Sequence, residues 1–180
     1  MRSLSEIALT TRLTLFADRE AFSQLVSKHQ SALRRFFLHL TLGDQMLSDD
    51  LAQDTFIKAW THIDQYSAKS TFQTWLFGIG YNTWYDHLRS RHLTDDIDEA
   101  FDIGYEQRDT ALHLDMVKAL SQLKPIERTC VTLQVIEDQK IEDIAKITQL
   151  NANTVKSHIA RGKQKLAEYL KHNGYEQRSR

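Results

Sequence analysis

The sequence is poor in cysteine, proline and glycine, and these shortages exclude several classes of protein. Among 180 residues there is one cysteine, Cys130, and one proline, Pro125. A lone cysteine cannot form an intramolecular disulfide and has no CxxC partner for zinc, so we expect a protein of the reducing cytoplasm. Six glycines in total, and no alternating apolar and polar run bounded by turn residues, argue against a β-sandwich or barrel. We therefore predict an all-α protein.

Long hydrophobic runs and an excess of one charge are also missing. No stretch reaches the roughly 18 apolar residues of a membrane span, and charged side chains interrupt the N-terminal residues where a signal peptide would need an apolar run. We expect the mature protein to be the whole chain, soluble and not exported. The formal net charge of −1 gives no general sign of a nucleic-acid partner, because tight phosphate binding normally needs a basic surface.

Charge is unevenly distributed along the chain. Residues 93–110 contain one basic and seven acidic residues and no helical apolar stripe, which is the composition of a linker. Residues 111–180 contain 12 basic and 8 acidic residues, and the basic excess lies within 154–171. We predict two small helical domains, 1–92 and 111–180, joined by the acidic linker 93–110. Any DNA contact is predicted at the basic stretch.

Helix signals place three helices in the first domain. The first begins near Asp18. The second begins at Ser48, whose hydroxyl group is predicted to cap it. The third opens at Ser70, where Gln73 completes a capping box, and continues to about residue 91. In the second domain we predict helices near 110–122, 125–137, 141–148 and 152–170, with Pro125 in the first turn of its helix.

Residues 141–166 have the pattern of a helix-turn-helix. Apolar residues recur at helical spacing from Ile141 to Thr148, the period breaks, and a second stripe begins at Val155 behind Asn151, a good N-cap. The face opposite Val155 would carry slim polar side chains that fit a major groove and reach base edges. An ordinary amphipathic hairpin with a solvated charged face would give the same pattern. The members of the polar face are Asn153, Ser157, Ala160, Arg161 and Gln164, flanked for phosphate groups by Lys156, Lys163 and Lys165.

Three segments occur in a fixed order: DDLAQDTFIKAW, then FQTWLFGIGYNTWYDHLRSR, then ALSQLKPIERTCVTLQVIEDQKIEDIAKITQLNANTVKSHIARGKQKLAEYL. With them the chain resembles the bacterial sigma factors of the extracytoplasmic-function class. Residues 18–92 are similar to sigma region 2, and residues 111–171 are similar to region 4. The resemblance implies a transcription initiation factor that binds core RNA polymerase, reads and melts the minus-10 element with region 2, and reads the minus-35 element with region 4.

The helix that contains DDLAQDTFIKAW has two faces of different character. Ala52, Thr55 and Ala59 share the predicted inner face, whereas the apolar Ile57 stands among acidic residues on the outer face. In the resembled family this segment, region 2.2, grips the clamp helices of the polymerase β′ subunit, and the β subunit is a further expected partner. Ordinary exposed helix charge is the alternative. The resemblance assigns core-polymerase binding to Asp50, Gln53, Asp54 and Ile57.

Aromatic residues lie on all sides of the segment 72–91, which favours burial in a core. Single-stranded bases also stack on aromatic rings, and the resembled family uses aromatic residues here for that purpose, together with a preceding loop that pockets a flipped base. By position that loop is 66–71. We assign Trp75 and the Phe72 face to the core. The resemblance assigns minus-10 DNA binding to Tyr66, Lys69, Ser70, Tyr81, Trp84, Tyr85, Arg89 and Arg91.

The sequence also departs from the family. Gly78 and Gly80 stand where Arg and Ala are frequent, so fewer phosphate contacts are available and the helix is weakened. Gln149 occupies the turn position where Gly is usual. Promoter preference therefore cannot be transferred from relatives. The resemblance assigns minus-35 DNA binding to Asn153, Thr154, Lys156, Ser157 and Arg161, of which Arg161 is the first choice for a base contact.

The resemblance further implies an anti-sigma factor as a partner, and no catalytic residue, metal ion or cofactor. The near-neutral charge leads us to expect weak promoter binding by the free protein, with polymerase holding both domains at the promoter.

Two other classes are alternatives. A stand-alone helix-turn-helix regulator would bind duplex DNA without polymerase, but it would leave DDLAQDTFIKAW without a role. An all-α terpenoid synthase would use Asp49, Asp50 and Asp54 to hold magnesium, but the sequence has no second acidic cluster on a facing helix.

Overall fold

The computed structural model describes residues 4–94 and 111–173, and in these ranges the chain forms helices and no strand. The all-α prediction is confirmed. The predicted linker lies outside the described residues, apart from its first two positions, which belong to the last turn of a helix. The helices of the described ranges are α1 (Leu4–Phe16), α2 (Arg19–Leu40), α3 (Gln45–Thr61), α4 (Phe72–Thr94), α5 (Ala111–Ser121), α6 (Pro125–Val131), α7 (Ile141–Thr148) and α8 (Ala152–His172).

Two short turns of other geometry extend this set. A 3₁₀ turn, Ile63–Gln65, follows α3, and a π-helical turn, Thr132–Ile136, continues α6. The backbone N–H of Glu137 donates to the carbonyl of Thr132 at 3.1 Å, which closes this wider turn. We predicted one helix over 125–137. The chain is helical from Pro125 to Ile136, but the second part of this range is wound more widely than an α-helix.

Side-chain caps fix where three helices begin as the sequence predicts. The carboxylate of Asp18 accepts from the backbone N–H groups of Glu20 and Ala21, so the start of α2 is confirmed. Asn151 caps α8, and Pro125 occupies the first turn of α6, where its missing N–H costs no hydrogen bond.

Two predicted caps are wrong. Helix α3 begins at Gln45, because the carboxylate of Asp44 accepts from the N–H of Leu47 at 2.9 Å. Ser48 lies inside the helix and is buried, with its hydroxyl within 2.8 Å of the Thr41 hydroxyl. A carboxylate four residues upstream competes successfully with a serine, since it also favours the positive end of the helix dipole.

Helix α4 is capped by a threonine and not by the predicted serine. The hydroxyl of Thr71 accepts from the N–H of Thr74 at 3.0 Å. The carbonyl of Ser70 instead accepts from the phenolic hydroxyl of Tyr66 at 3.1 Å. The N-cap therefore lies one residue later than predicted, Gln73 does not complete a capping box, and Ser70 belongs to the loop before the helix.

Helix α1 has no counterpart in the sequence prediction. Its inner face mixes polar and apolar residues: Glu6, Thr10 and Leu13 are buried, whereas Leu15 and Phe16 are exposed. Inside, the carboxylate of Glu6 is paired with Lys28 of α2. Because polar residues interrupt the inner face and apolar residues lie on the outer face, the helix has no continuous apolar stripe from which periodicity could reveal it.

Large aromatic side chains form the core between α2, α3 and α4. Phe36, Phe37, Phe77 and Trp84 are completely or almost completely buried, and the Phe36 and Phe77 rings are 5.1 Å apart between centroids. Each such side chain contributes about 1.5–3 kcal/mol to stability through burial. Gly80 of α4 leaves the room that these rings occupy, because a Cβ atom there would lie 3.3 Å from Phe37.

The second half of the chain packs around α8 and also contacts the first half. Helices α6 and α8 lie side by side, and α7 lies against both α8 and α4. Across the two halves, Arg35 of α2 pairs with Glu137, and Arg128 of α6 donates to the carbonyl of Leu40 at 2.9 Å. The two predicted domains are thus packed against each other in this structure.

Candidate nucleic-acid interface

The turn between α7 and α8 is closed at both ends by backbone and side-chain geometry. Gln149 ends α7 in the left-handed conformation, at φ 58° and ψ 24°. Two residues later, the side-chain oxygen of Asn151 accepts from the N–H of Thr154 at 2.8 Å and begins α8. The predicted turn and N-cap are confirmed, and together they set the angle between the two helices.

The inner faces of α7 and α8 form a compact apolar core. Ile144, Val155 and Ile159 are buried, as their spacing predicts, and so is Ile147. Gly162 is buried against α6, where no side chain would fit. With the inner face of α8 fixed in this way, its opposite face is held outward.

The outward face of α8 carries the predicted slim polar surface. Asn153, Ser157 and Arg161 are exposed, and the Arg161 Nε atom donates to the Ser157 carbonyl at 3.2 Å, so that the guanidinium lies along the helix. Lys156 is exposed beside them, and Thr154 is half-buried in the first turn. The structure therefore brings together all five residues that the sequence assigns to minus-35 DNA.

Two neighbouring side chains are oriented away from this face. Lys165 donates to the carboxylate of Glu127 at 2.7 Å, so it is engaged with α6 and is not free for a phosphate group. That pairing, together with the bond to the N–H of Lys124, holds the pKa of Glu127 below its usual value, although burial opposes the shift. His158 is half-buried, and burial together with nearby Arg161 lowers its pKa, which favours the neutral imidazole.

The outer face of α3 carries the four predicted polymerase-binding residues side by side. Asp50, Gln53, Asp54 and Ile57 are all exposed, and Ile57 has 63% of its surface accessible. Ala59 and Thr55 are buried on the inner face, as predicted. Ile57 also forms one wall of a shallow groove whose other walls are Arg19, Phe22, Phe56 and Trp60.

Met46 extends this face, and the sequence analysis missed it. It is 78% exposed and lies eleven residues before Ile57, a separation that returns to nearly the same side of a helix. The spacing from Ile57 could have revealed Met46 as part of this face. The predicted start of the helix at Ser48 was wrong, however, and it placed Met46 outside the helix. Lys58, in contrast, reaches sideways to α4, where it donates to the Thr83 hydroxyl at 3.1 Å.

The minus-10 candidates in the loop before α4 are divided between core and surface. Tyr66 is buried, with its ring 5.7 Å from Phe72 and 5.3 Å from Trp75 between centroids. Its ring therefore packs into the core beneath the loop. Lys69 is exposed and Ser70 is half-buried, so solvent reaches both of these candidates.

The aromatic candidates on α4 contact protein in this structure. Trp84 is 1% exposed and offers no surface to a ligand. Tyr81 and Tyr85 are half-buried, with ring centroids 4.5 Å apart. Burial raises the pKa of both, and the causes include Cys130 of α6 for each, which places the pair beside the second half of the chain. This aromatic face lies at the contact between the two halves.

The basic candidates at the end of α4 are on the surface. Arg89 and Arg91 are exposed, and Arg89 donates to Asp86 at 3.1 Å. The eight minus-10 residues are thus not one continuous surface here. Lys69 and the two arginines face solvent, Tyr66 and Trp84 are buried, and the tyrosine pair is covered in part by α6.

Other types of site receive no support from the described part of the chain. Within 4–94 and 111–173, no group of three or more His, Cys, Asp or Glu side chains is arranged to hold a metal ion. No helix in these ranges has both the length and the apolar character needed to cross a membrane. Cys130 is buried, and burial raises the pKa of its thiol to about 12, so the thiol is unreactive in this fold.

Comparison with known protein families gives two matches in the order of the two halves. Residues 25–94 match the family described as Sigma-70 region 2. Residues 113–166 match the family described as Sigma-70, region 4. The first range contains most of α2 and all of α3 and α4, and the second contains the helix-turn-helix.

Curated proteins of similar sequence share most of the length of this chain. It is 34% identical to the ECF RNA polymerase sigma factor SigE of Mycolicibacterium smegmatis over 86% of its own length and 63% of that protein. It is 31% identical to the RNA polymerase sigma-H factor of Pseudomonas aeruginosa over 85% of its own length and 88% of that protein. The chain thus spans somewhat less than two thirds of the first relative and most of the second.

Solved structures of similar fold come from complexes. The sigma factor RpoE in complex with the anti-sigma factor NepR from Bartonella quintana superposes with a TM-score of 0.72 at 31% identity, covering 83% of this chain and 96% of that one. CnrH in complex with the cytosolic domain of CnrY gives a TM-score of 0.72 at 24% identity, covering 94% of this chain and 99% of that one. The arrangement of helices described above is thus one that known proteins adopt.

Proposed function

This chain belongs to the extracytoplasmic-function class of RNA polymerase sigma factors, and from that membership we propose that it binds core RNA polymerase and directs promoter-specific transcription initiation. One observation carries the proposal: matches to sigma regions 2 and 4 occur in order, and each contains an exposed helix face suited to its task. The protein acts by binding and without catalytic chemistry of its own. Its place of action is the cytoplasm, where polymerase and promoter DNA are found.

The outer face of α3 binds core polymerase. An exposed isoleucine among carboxylate and amide groups combines an apolar anchor with a polar rim, which is the composition of protein interfaces. Asp50, Gln53, Asp54 and Ile57 contact the clamp helices of the β′ subunit, and the β subunit is a further partner. The groove beside Ile57 provides apolar surface that a partner helix would cover.

The outer face of α8 reads the minus-35 element in the major groove. Its small and polar side chains leave room for the duplex, and Asn153 in its first turn is exposed. Arg161 contacts a base edge, because a guanidinium can donate two hydrogen bonds to guanine. Lys156 contacts phosphate, and Asn153, Thr154 and Ser157 complete the surface.

The loop before α4 and the exposed end of that helix bind the minus-10 element. Lys69, Arg89 and Arg91 are accessible to the phosphate backbone in the described arrangement. Tyr66 and Ser70 shape the loop that receives an unpaired base. Tyr81 and Tyr85, which are half-buried beside α6, form the aromatic part of this surface, and the two domains separate before their rings stack on DNA. Trp84, the third predicted aromatic residue, stays in the core.

An anti-sigma factor is the proposed regulatory partner. The support is the fold shared with RpoE in its complex with the anti-sigma factor NepR, at 31% identity. Such a partner would act by covering the surfaces that polymerase and promoter need.

Gel filtration with bacterial core RNA polymerase, followed by run-off transcription from a library of promoter fragments, tests the proposal. The expected result is co-elution with core polymerase and initiation from a subset of fragments. An Ile57→Asp variant, which places a charge in the apolar anchor, is expected to elute separately. Specific duplex binding by the protein alone, without co-elution, would overturn the proposal and favour the stand-alone regulator.

A further inference from the structure

The contact between the two halves of the chain contains one ion pair with two parallel hydrogen bonds. The Arg35 Nε atom donates to one carboxylate oxygen of Glu137 at 2.7 Å, and the Nη2 atom donates to the other at 2.8 Å. The two residues are 102 positions apart in sequence. This paired geometry is the strongest form of arginine–carboxylate recognition.

The two partners differ greatly in exposure, so the ion pair matters most to Glu137. The Glu137 side chain is 1% exposed, whereas that of Arg35 is 48% exposed. A carboxylate buried to this extent is costly without a cation beside it. Arg35 is the cation that pairs with it, and removal of Arg35 would leave a buried charge that only separation of the halves could return to water.

The chain around Glu137 is held to the first half by a second contact. The Thr74 hydroxyl of α4 donates to the side-chain oxygen of Gln139 at 3.3 Å, and the Gln139 amide donates to the Glu137 carbonyl at 3.0 Å. The segment that joins the π-helical turn to α7 is therefore fixed to both α2 and α4. Helix α7, which follows directly, packs against α4.

A third contact uses a helix end. The Arg128 Nη1 atom donates to the carbonyl of Leu40, the last residue of α2, at 2.9 Å. Carbonyl groups at a helix C-terminus have no partner within the helix and carry partial negative charge. The remaining guanidinium nitrogens donate to the Leu120 and Leu123 carbonyls in the second half, at 3.0 and 3.2 Å. Arg128 thus connects the end of α2 to the end of α5.

We propose that the Arg35–Glu137 pair is an intramolecular latch that keeps the chain in a closed, inactive arrangement in the absence of any partner. The closed arrangement covers the Tyr81 and Tyr85 pair and fixes the helix-turn-helix against α4. The inference rests on the proposed function, in which the two domains must separate to reach two promoter elements at once. The latch therefore lowers the apparent promoter affinity in proportion to the fraction of molecules that are open, because only open molecules bind.

Neighbouring arginines on α2 allow a matched test. Arg34 has nearly the same exposure as Arg35, but it pairs with Asp49 of α3 within the first half. We would compare the wild type with Arg35→Glu, Arg34→Glu and the swapped double variant Arg35→Glu with Glu137→Arg. The readout is the radius of gyration from small-angle X-ray scattering of the purified full-length chain, with helix content monitored by circular dichroism.

The latch predicts a compact wild type, near the roughly 16 Å expected for a folded chain of this length. Arg35→Glu is expected to be expanded at unchanged helix content, with the open fraction raised at least about tenfold. Arg34→Glu is expected to stay compact, and the swapped variant to regain compactness. An expanded wild type, or an Arg35→Glu variant as compact as the wild type, would overturn the latch.

Transcription separates a failure of the latch from a failure of the proposed function. With core polymerase and a selected promoter, the Arg35→Glu variant should reach half-maximal run-off at a several-fold lower concentration than the wild type. Expansion of Arg35→Glu in scattering without any polymerase binding by either protein would refute the sigma-factor role, while the latch itself would stand as a property of the chain.

Discussion

Gly162 of α8 lies directly against Val131 of α6, so closely that a Cβ atom at position 162 would come within 2.6 Å of the Val131 Cγ2 atom. The two helices can approach this far only because position 162 has no side chain. Gly162→Ala is therefore expected to lower the free energy of unfolding by about 1–3 kcal/mol through overpacking, measured by urea denaturation. Val131→Ala in the same chain should recover part of the loss, and strictly additive effects of the two substitutions would contradict the contact.

Gly78 and Gly80 of α4 differ in their surroundings and should respond differently to alanine. A Cβ atom at Gly78 meets nothing within 4 Å, whereas one at Gly80 would lie 3.3 Å from both Leu33 and Phe37. Gly78→Ala should raise the free energy of unfolding by about 0.8–1.0 kcal/mol, the difference in helix propensity. Gly80→Ala should gain less or lose stability, since its neighbours must shift. Equal gains in chemical denaturation would show that Gly80 is not crowded.

The sequence predicted the helices that bury an apolar stripe and failed where that rule is broken. Helix α7 begins and ends where the period of its isoleucines predicts, and α8 was placed to within two residues. Helix α1 was missed because Glu6 and Thr10 face inward beside Leu13, while Leu15 faces solvent. Periodicity reports burial of apolar groups, so it does not reveal a helix whose inner face is interrupted by polar residues.

The candidate surfaces were predictable from the sequence only where helix geometry alone determines which residues are exposed. The outer faces of α3 and α8 follow from helix geometry alone, so Ile57 and Arg161 lie where they were expected. The α4 face was not predictable, because aromatic residues surround that helix and the partner of each ring depends on tertiary contacts. The pairing of Arg35 with Glu137 also depends on how the two halves meet, which no local pattern encodes.

His29 makes stability depend on pH in the range just below neutrality. It is 5% exposed, its ring is tilted against that of Phe72 at 5.5 Å between centroids, and its Nε2 atom has no hydrogen-bond partner. Burial lowers its pKa from 6.5, and Glu6 only partly opposes that shift. The unfolded chain therefore binds the proton more readily, so the stabilisation from a neutral His29 is complete above pH 6.5 and is lost as the pH falls below it.

A His29→Gln variant tests this dependence. Its free energy of unfolding, measured by urea denaturation at pH 7 and at pH 5, should fall less between the two values than that of the wild type. His62 is exposed at the end of α3, and His62→Gln serves as the matched control, with a pH dependence like the wild type's. The assignment to His29 would be wrong if both variants lost stability in parallel with the wild type.

Ile57 is expected to be an anchor of the polymerase contact. Its exposed side chain would be buried by a partner helix, and Ile57→Asp would place an uncompensated carboxylate there, with an expected loss of at least about tenfold in affinity for core polymerase, or about 1.4 kcal/mol. Leu15 of α1 is similarly exposed, at 68%, and Leu15→Asp is the matched control. Fluorescence anisotropy with labelled protein gives both affinities. Equal losses in the two variants would indicate a general effect of added charge.

Arg161 and Lys156 should affect promoter binding in different ways because they are assigned to a base edge and to a phosphate group. In the reconstituted polymerase complex, Arg161→Ala should cost about 1–3 kcal/mol and relax the base preference at one minus-35 position. Lys156→Ala should weaken binding to all promoters alike and reduce the slope of log affinity against log salt by about one.

Lys165, which is held by Glu127, supplies the control: its alanine variant should leave the salt slope unchanged. Binding to a library with randomised minus-35 positions, repeated at several salt concentrations, measures both effects. If the Arg161→Ala variant lost the same affinity for every sequence in the library, Arg161 would be a phosphate contact and not a base contact. Asn153 and Ser157 would then be the candidates for reading sequence.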